Sequence, residues 1–401
     1  MKSKVNNNLK RICVISSTIP PEYSGAGKRA YRHCLYLQER NMLWGLVNQT
    51  REIYKGASDQ QRLPESVIYR FNKNQISNKP IQKIIGIIKY NLDVFYFLAR
   101  NRKEFNIIHS FGSSWDELGI NLFSKIFNKP LLREFTLYPD FKKATSHWSQ
   151  KSILKHNLNC ADRVICVSKA LQDWALKHKI RSKTMVIEND TMFQPPKLSK
   201  RELRKNFIHE DYLNKTPVVL FVGPKSFRKG FDIAYKTFSL LLKEFPDSLM
   251  LLLGISGKNV TINQEFYDID ALKKRGNILD LGLVDNTEPY FQLADVLLFP
   301  SRREGMPNVV LEAMATGTAV VARKIEGITD SLILNGVDGF LVDDGDDPNA
   351  YLLKIRQLVG DPNTIQTIGQ KSVKKIKKKY SPEKIFNKYL ELYNNTLEPI
   401  K

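Results

Sequence analysis

The sequence predicts an α/β protein made of two doubly wound, Rossmann-like domains, each a parallel sheet wrapped by helices. Three observations carry that expectation. Short apolar runs rich in β-branched residues alternate with segments whose apolar residues recur at helical spacing, the pattern of parallel strands and crossover helices. The alternation halts at the double proline of QPPK (194–197) and then restarts. The 401 residues, 42% hydrophobic and 26% charged, exclude a disordered or low-complexity chain and supply enough length for two or three cores.

The elements follow in order. RICVISST reads as the first strand, PPEYSGAG as the loop after it, and KRAYRHCLYLQERN as a helix with Tyr31, Cys34, Leu35 and Leu37 on one side. Residues 81–105 form a long helical pattern that leads into the strand FNIIHSF. KPLLREFT and ADRVICVS are further strands, the latter feeding the helix KALQDWALKHK, and KTMVIEND closes this half. Beyond the prolines, TPVVLFVG, DSLMLLLG, NILDLGLV, ADVLLFP and TAVVARK read as strands, with the helix GFDIAYKTFSLLLKEFP between the first two. The last helix opens at Ser381-Pro382-Glu383, which offers a capping hydroxyl, a first-turn proline and a first-turn acid.

The net charge of +21 is unevenly spread. Residues 1–195 carry 32 Lys+Arg against 15 Asp+Glu, and residues 196–401 carry 30 against 26. A basic first half suits an anionic partner: nucleic acid, an acidic glycan or a negatively charged membrane surface. A solvated basic face without a partner is the alternative. Aromatics clustered on a basic strand are absent, which argues against nucleic acid. No apolar run approaches the ~18–20 residues of a bilayer span. The N-terminal apolar stretch stops at Ile19 before a proline pair, with no small-residue cleavage site, so it is read as the first strand of a cytoplasmic protein. Cys13, Cys34, Cys160 and Cys166 fit neither zinc nor redox spacing and read as reduced thiols. Residues 79–105 mix isoleucines and phenylalanines with lysines and arginines and leave two readings open: a helix lying in a headgroup layer, or a buried helix with charged ends. KSVKKIKKKY (371–380) reads as an exposed helix end.

Three motifs point to chemistry. VGPKSFRKGFD ends a strand and opens a helix; Gly223 permits a sharp turn, and Arg228 and Lys229 stand near the helix N-terminus, where amides and cations together suit an anion. PSRREGMPNVVLEAMATG places Glu304 in a loop and Glu312 in the following helix, with Gly305, Met306, Pro307 and Asn308 at its start. A carboxylate beside an anion-binding helix end is odd unless it accepts hydroxyl hydrogen bonds from a neutral, polyhydroxylated group, and a sugar diphosphate meets both conditions. Ser24-Gly25-Ala26-Gly27 forms a glycine loop after the first strand; it is neither G-x-G-x-x-G nor a P-loop.

VGPKSFRKG, ADVLLFPS, REGMPNVVLEAMATG and GVDGFLV make the sequence resemble glycosyltransferase family 4, whose members have the GT-B fold and retain the anomeric configuration. The likeness is most specific over residues 217–345. SGAGKR looks like the family's glycine loop, and ADRVICVSKAL with VIEND like its closing strand–helix–strand. The resemblance implies two Rossmann-like domains facing each other across a cleft: 1–195 on the acceptor side, 196–380 binding the donor, and a C-terminal helix, 381–401, packed back on the first domain. It implies a metal-independent hexosyltransferase with no cofactor, using a UDP- or GDP-linked sugar and a glycan or lipid-linked acceptor in surface polysaccharide synthesis. The expected location is the cytoplasm, peripheral to the inner face of the cell membrane.

By the same likeness, Arg228 and Lys229 bind the donor diphosphate and Glu304 holds the sugar hydroxyls. The amides of Gly305 to Asn308 reach sugar and diphosphate, and Glu312 accepts bonds from the ribose. Gly254 and Val284 line the nucleotide pocket, while Gly25 and Gly27 close over the phosphates. The sequence departs from the family at Pro224, where arginine is common, and in keeping only His109 of a histidine pair. No acceptor-side base is named, and His109 is either structural or functional. Asp343, Asp344, Asp346 and Asp347 read as a solvated acidic turn, not a metal site. The competing reading is a catalytically inactive GT-B partner or sensor that binds a sugar nucleotide.

Overall fold

The computed structural model describes residues 11–19, 25–49, 63–71, 80–112, 114–137, 147–254 and 260–397. The chain divides into two compact units, Met1–Glu188 with Ile385–Lys401, and Asn189–Lys384.

The first unit holds strands β1 (Ile12–Ser16), β2 (Leu43–Asn48), β3 (Ile68–Arg70), β4 (Ile107–Ser110), β5 (Leu131–Phe135), β6 (Arg163–Cys166) and β7 (Lys183–Val186). They form one parallel sheet in the order β3-β2-β1-β4-β5-β6-β7. Helices cover both faces of the sheet, so β1 and β5 are buried at every position, the charged Arg133 and Glu134 of β5 included. Gly25 opens the helix Gly25–Glu39 and Gly27 lies in its first turn, so the glycine segment is helical from Gly25 onward; Ser24 lies outside the described residues. The helix Pro80–Arg100 sets Phe97 against Trp44 of β2 and Tyr69 of β3 and stops five residues short of the helical pattern expected to 105.

The helix Pro382–Leu397 starts at the proline, whose missing N–H costs nothing in a first turn. Ile385, Phe386, Tyr389, Leu392 and Tyr393 recur at helical spacing and are buried in the first unit's core beside Tyr31, Cys34 and Leu37. Each such side chain contributes about 1.5–3 kcal/mol on burial.

Polar groups tie this helix to the sheet. Tyr389 donates to Glu134 Oε1 at 2.6 Å, His109 Nε2 lies 3.2 Å from the same oxygen, and Arg29 Nη2 sits 3.2 Å from Glu134 Oε2. The Tyr393 hydroxyl lies 2.6 Å from both His33 Nε2 and His109 Nδ1. Burial pushes the Glu134 carboxyl up, but Arg29, His109 and Tyr389 together hold it below the ordinary range. Burial lowers His33 and His109, which favours the neutral form of both imidazoles. His109 is therefore a fully buried member of this network.

The second unit holds β8 (Val218–Val222), β9 (Leu249–Leu253), the hairpin β10 (Val260–Ile262) and β11 (Glu265–Tyr267), then β12 (Ile278–Gly282), β13 (Val296–Phe299), β14 (Ala319–Arg323) and β15 (Phe340–Val342). Asn263 and Gln264, both at positive φ, make the two-residue hairpin turn. The main sheet is parallel in the order β12-β9-β8-β13-β14-β15. That is the doubly wound order: connections from β8 run one way and those from β13 the other. The two neighbouring strands thus leave a crevice beyond their carboxyl ends, where ligands bind in such sheets. Cys13, Cys34 and Cys166 are buried, Cys160 is half-buried, and all four are free thiols.

Candidate active site

The loops that follow β8 and β13 meet at the second unit's crevice. After β8 the chain turns through Gly223 at φ +133°, and Ser226 accepts from the Lys229 amide at 3.1 Å, closing a tight turn. Gly230 then caps the helix Phe231–Glu244 with φ +71°. A Cβ at Gly230 would lie 2.2 Å from the Pro300 carbonyl oxygen, so this position requires glycine twice over. Gly230→Ala is expected to lower stability by about 2–4 kcal/mol, measured by denaturant titration.

After β13, the loop from Pro300 to Pro307 crosses this turn. The Arg302 amide donates to Arg228 O at 2.9 Å, and Ser301 Oγ lies 3.2 Å from the same oxygen. The Arg302 side chain clamps the loop: it pairs bidentately with Asp232 at 2.7 and 2.8 Å, reaches Asp346 at 2.9 Å, and lies 3.8 Å over the Phe227 ring. The acidic turn is thereby largely spoken for, since Arg323 also binds Asp346, Lys324 pairs with Asp343 at 2.8 Å, and Asp347 caps the helix Pro348–Val359. Among the described residues no group of three or more His, Cys, Asp and Glu side chains is placed to hold a metal ion.

This scaffold brings Lys229, Arg228 and Glu304 into contact. Lys229 Nζ lies 2.7 Å and Arg228 Nη1 3.6 Å from Glu304 Oε1, and Ser301 donates to that same oxygen at 2.6 Å. Glu304 is 8% exposed. All these bonds converge on Oε1, and Oε2 has no partner among the described residues. A carboxylate anchored through one oxygen presents the other as a fixed acceptor.

The remaining expected residues fall as follows. Gly305, Met306 and Pro307 are buried and precede the helix, which runs from Asn308 to Thr316; the expectation placed all four at its start. Asn189 reaches Met306 O at 3.1 Å and pins that loop. Asn308 Oδ1 is buried with no hydrogen-bond partner among the described residues, an arrangement that costs about 1–3 kcal/mol until a donor arrives. Glu312 is half-buried one turn into the helix. Gly254, at φ +138°, abuts Gly223 so closely that a Cβ would lie 2.5 Å from its carbonyl oxygen. Val284 is half-buried two residues past β12. Gly25 and Gly27 belong to the other unit.

Two features went unrecognised in the sequence. Ser301, three residues before Glu304, orients its carboxylate. Gly282 continues a row of positive-φ glycines at the ends of β8, β9 and β12, in which the Gly254 amide donates to Gly282 O at 2.8 Å. Such a row has no side chains on the crevice edge and admits a flat group against the backbone. The recurrence of glycine directly after each apolar strand run (FVG, LLG, DLG) was the available signal. Lys225 is turned to Asp280 at 3.0 Å, so the loop's cations at Glu304 are Arg228 and Lys229.

Residues 216–361 match the family model described as Glycosyl transferases group 1. The chain is 27% identical over 248 residues to the capsular polysaccharide biosynthesis glycosyltransferase CapM of Staphylococcus aureus, covering 60% of this chain and 63% of that one. It is 28% identical over 176 residues to the lipopolysaccharide core biosynthesis glycosyltransferase LpsE of Rhizobium meliloti, covering 44% and 49%. The matches thus span about half to just under two thirds of these relatives' lengths. Among solved structures, sucrose-phosphate synthase from Thermosynechococcus elongatus superposes with a TM-score of 0.75 at 18% identity, covering 96% of this chain and 99% of that one. Anabaena Alr3699/HepE in complex with UDP gives 0.72 at 18% identity, covering 96% and 100%. These likenesses establish the GT-B fold: two parallel-sheet, Rossmann-like domains.

Proposed function

We propose that this chain is a retaining, metal-independent glycosyltransferase that moves a hexose from a UDP- or GDP-linked donor to a glycan or lipid-linked acceptor in surface polysaccharide synthesis. The observation that carries the reading is Glu304, with Oε1 held by Lys229 and Ser301 and Oε2 open beside two cations.

The chemistry follows from that arrangement. When the bond between the sugar carbon and the diphosphate breaks, negative charge grows on the leaving phosphate. Lys229 and Arg228 stand where they stabilise it, in a site whose partial burial strengthens the attraction. Donor binding shares the Lys229 ammonium between the diphosphate and Glu304, while Oε2 accepts sugar hydroxyls and holds the reacting carbon in line. The amides of Gly305, Met306 and Asn308 and the helix that Asn308 opens favour the same anion, and Glu312 takes the ribose. Gly254 and Val284 line the base and ribose pocket. The names of the polysaccharide-building relatives, and the UDP complexes of the Anabaena protein, support this donor and pathway class.

A thermal-stability comparison with UDP, GDP and ADP tests the donor. The matching nucleotide at 100 times its dissociation constant adds about 2.7 kcal/mol, and no response to any of the three contradicts the reading. The burial of His109 favours a second reading, a sugar-nucleotide sensor, because it withdraws the one acceptor-side imidazole singled out in the sequence. Release of free nucleoside diphosphate in the presence of acceptor separates enzyme from sensor.

A further inference from the structure

The helix Pro80–Arg100 is apolar around its circumference, yet only one side of it is buried. Tyr90, Val94 and Leu98 face the core. Asn91 Oδ1 accepts the Gly119 amide at 2.6 Å and fixes the helix against its neighbour, Leu118–Phe127. The opposite side carries Ile81, Ile84, Ile85, Ile88, Leu92 and Tyr96, each 53–72% exposed. Their spacing of three and four residues sets them in one stripe along the helix. Leu122 and Ile126, one turn apart on the neighbouring helix, are exposed as well, at 53% and 57%. Phe95 packs on Phe123 at 6.2 Å between the two helices, so the exposed apolar surfaces adjoin. The buried-helix reading of residues 79–105 accounts for one face only, and the other is bare; Lys79 lies outside the described residues.

The charge around the stripe selects the occupant. Lys89 and Arg100 are exposed on one shoulder of the helix, and Arg102, Lys103 and Lys125 are exposed near its end. The exposed acids there are Asp93 and Glu104, and Glu104 lies 4.0 Å from Arg11. Tyr96 is 68% exposed and Trp115 44%; Trp115 sits beside the stripe, its carbonyl accepting from Asn91 Nδ2 at 3.0 Å. Amphipathic aromatics of this kind settle at headgroup depth. A second protein chain would be served by the isoleucines alone, and a nucleic acid by the cations alone. A surface that is apolar within and phosphate-bearing at its rim uses both. Among the described residues no helix is long and apolar enough to cross a membrane, so the contact is one of lying on the surface.

We propose that this face docks on a bilayer surface bearing anionic headgroups, with the helix in the membrane plane, its isoleucine stripe at the acyl boundary and the flanking cations at the phosphates. The docking is separate from sugar transfer, because its readout needs neither donor nor acceptor.

Flotation of the full chain at physiological salt tests it, using vesicles of phosphatidylcholine alone and of phosphatidylcholine with phosphatidylglycerol. The protein floats with the anionic vesicles, and the vesicle-bound to free ratio falls about ten-fold or more in the triple variant Ile84→Ser, Ile88→Ser, Leu92→Ser. These positions are exposed, so the variant keeps the thermal midpoint of the parent. Lys89→Glu with Arg100→Glu lowers retention on the anionic vesicles alone. Absence of the parent from the floating fraction overturns the proposal, as does equal retention of the triple variant. Equal retention on both vesicle types overturns the headgroup assignment. A parent that sediments as a dimer, becomes a monomer in the triple variant and never floats overturns the proposal in favour of a second copy of the chain.

Discussion

Glu304→Ala is expected to lower turnover about 100- to 1,000-fold while leaving UDP affinity within about three-fold of the parent. In the proposed reading the carboxylate meets the sugar through Oε2 and the diphosphate meets Lys229 and Arg228, so the two readouts separate. Removing the carboxylate also frees the Lys229 ammonium from a 2.7 Å ion pair, which tends to strengthen its hold on a diphosphate. Steady-state kinetics with titration of UDP alone measure both quantities. Equal losses of turnover and of UDP affinity would remove the sugar-holding role. Glu304→Gln keeps the shape and an acceptor oxygen but discards the charge; an intermediate loss of turnover is expected, since charge-assisted bonds are roughly twice as strong as neutral ones.

Lys229→Ala is expected to weaken UDP binding about ten-fold or more and to lower turnover further, because the same charge serves the ground state and, more strongly, the departing diphosphate. The substitution also leaves Glu304, 8% exposed, with Arg228 at 3.6 Å as its remaining cation. Folding stability therefore falls as well, by about 1–3 kcal/mol. The diagnostic comparison is UDP against uridine. In the parent the diphosphate adds most of the affinity, and in Lys229→Ala the two ligands converge. Lys229→Arg keeps the charge on a longer, planar group and is expected to retain UDP binding while losing turnover, since a guanidinium cannot occupy the ammonium's place against Oε1.

Much of the fold is legible in the chain because parallel strands are buried on both faces and so read as unbroken apolar runs. TPVVLFVG and ADVLLFP are adjacent strands in space although their paired residues Val219 and Val296 lie 77 positions apart, and only the doubly wound order places them together. The meeting of Lys229 with Glu304 was for that reason foreseeable from strand-ending loops alone. The partners within each loop were not. Ser301 and Arg302 are ordinary polar residues until the turn at Ser226–Gly230 is laid across them, and no periodicity signals such a crossing. The hairpin Val260–Tyr267 escaped for a different reason: its strands are three residues each, too short for alternation to show. The helix Pro80–Arg100 shows the limit of periodicity most plainly. Apolar residues on all sides say that a helix is sheltered, but not whether protein or some other apolar surface shelters each face.

The central claim is that Glu304 Oε2 holds the donor sugar while Lys229 and Arg228 hold its diphosphate. A crystal structure of the protein with a non-transferable nucleotide sugar tests this most directly. The account predicts Oε2 within hydrogen-bonding distance of a sugar hydroxyl, Lys229 Nζ on a diphosphate oxygen, and the Ser301–Glu304 bond unchanged. A sugar ring turned away from Glu304, or a diphosphate seated without Lys229, would contradict it.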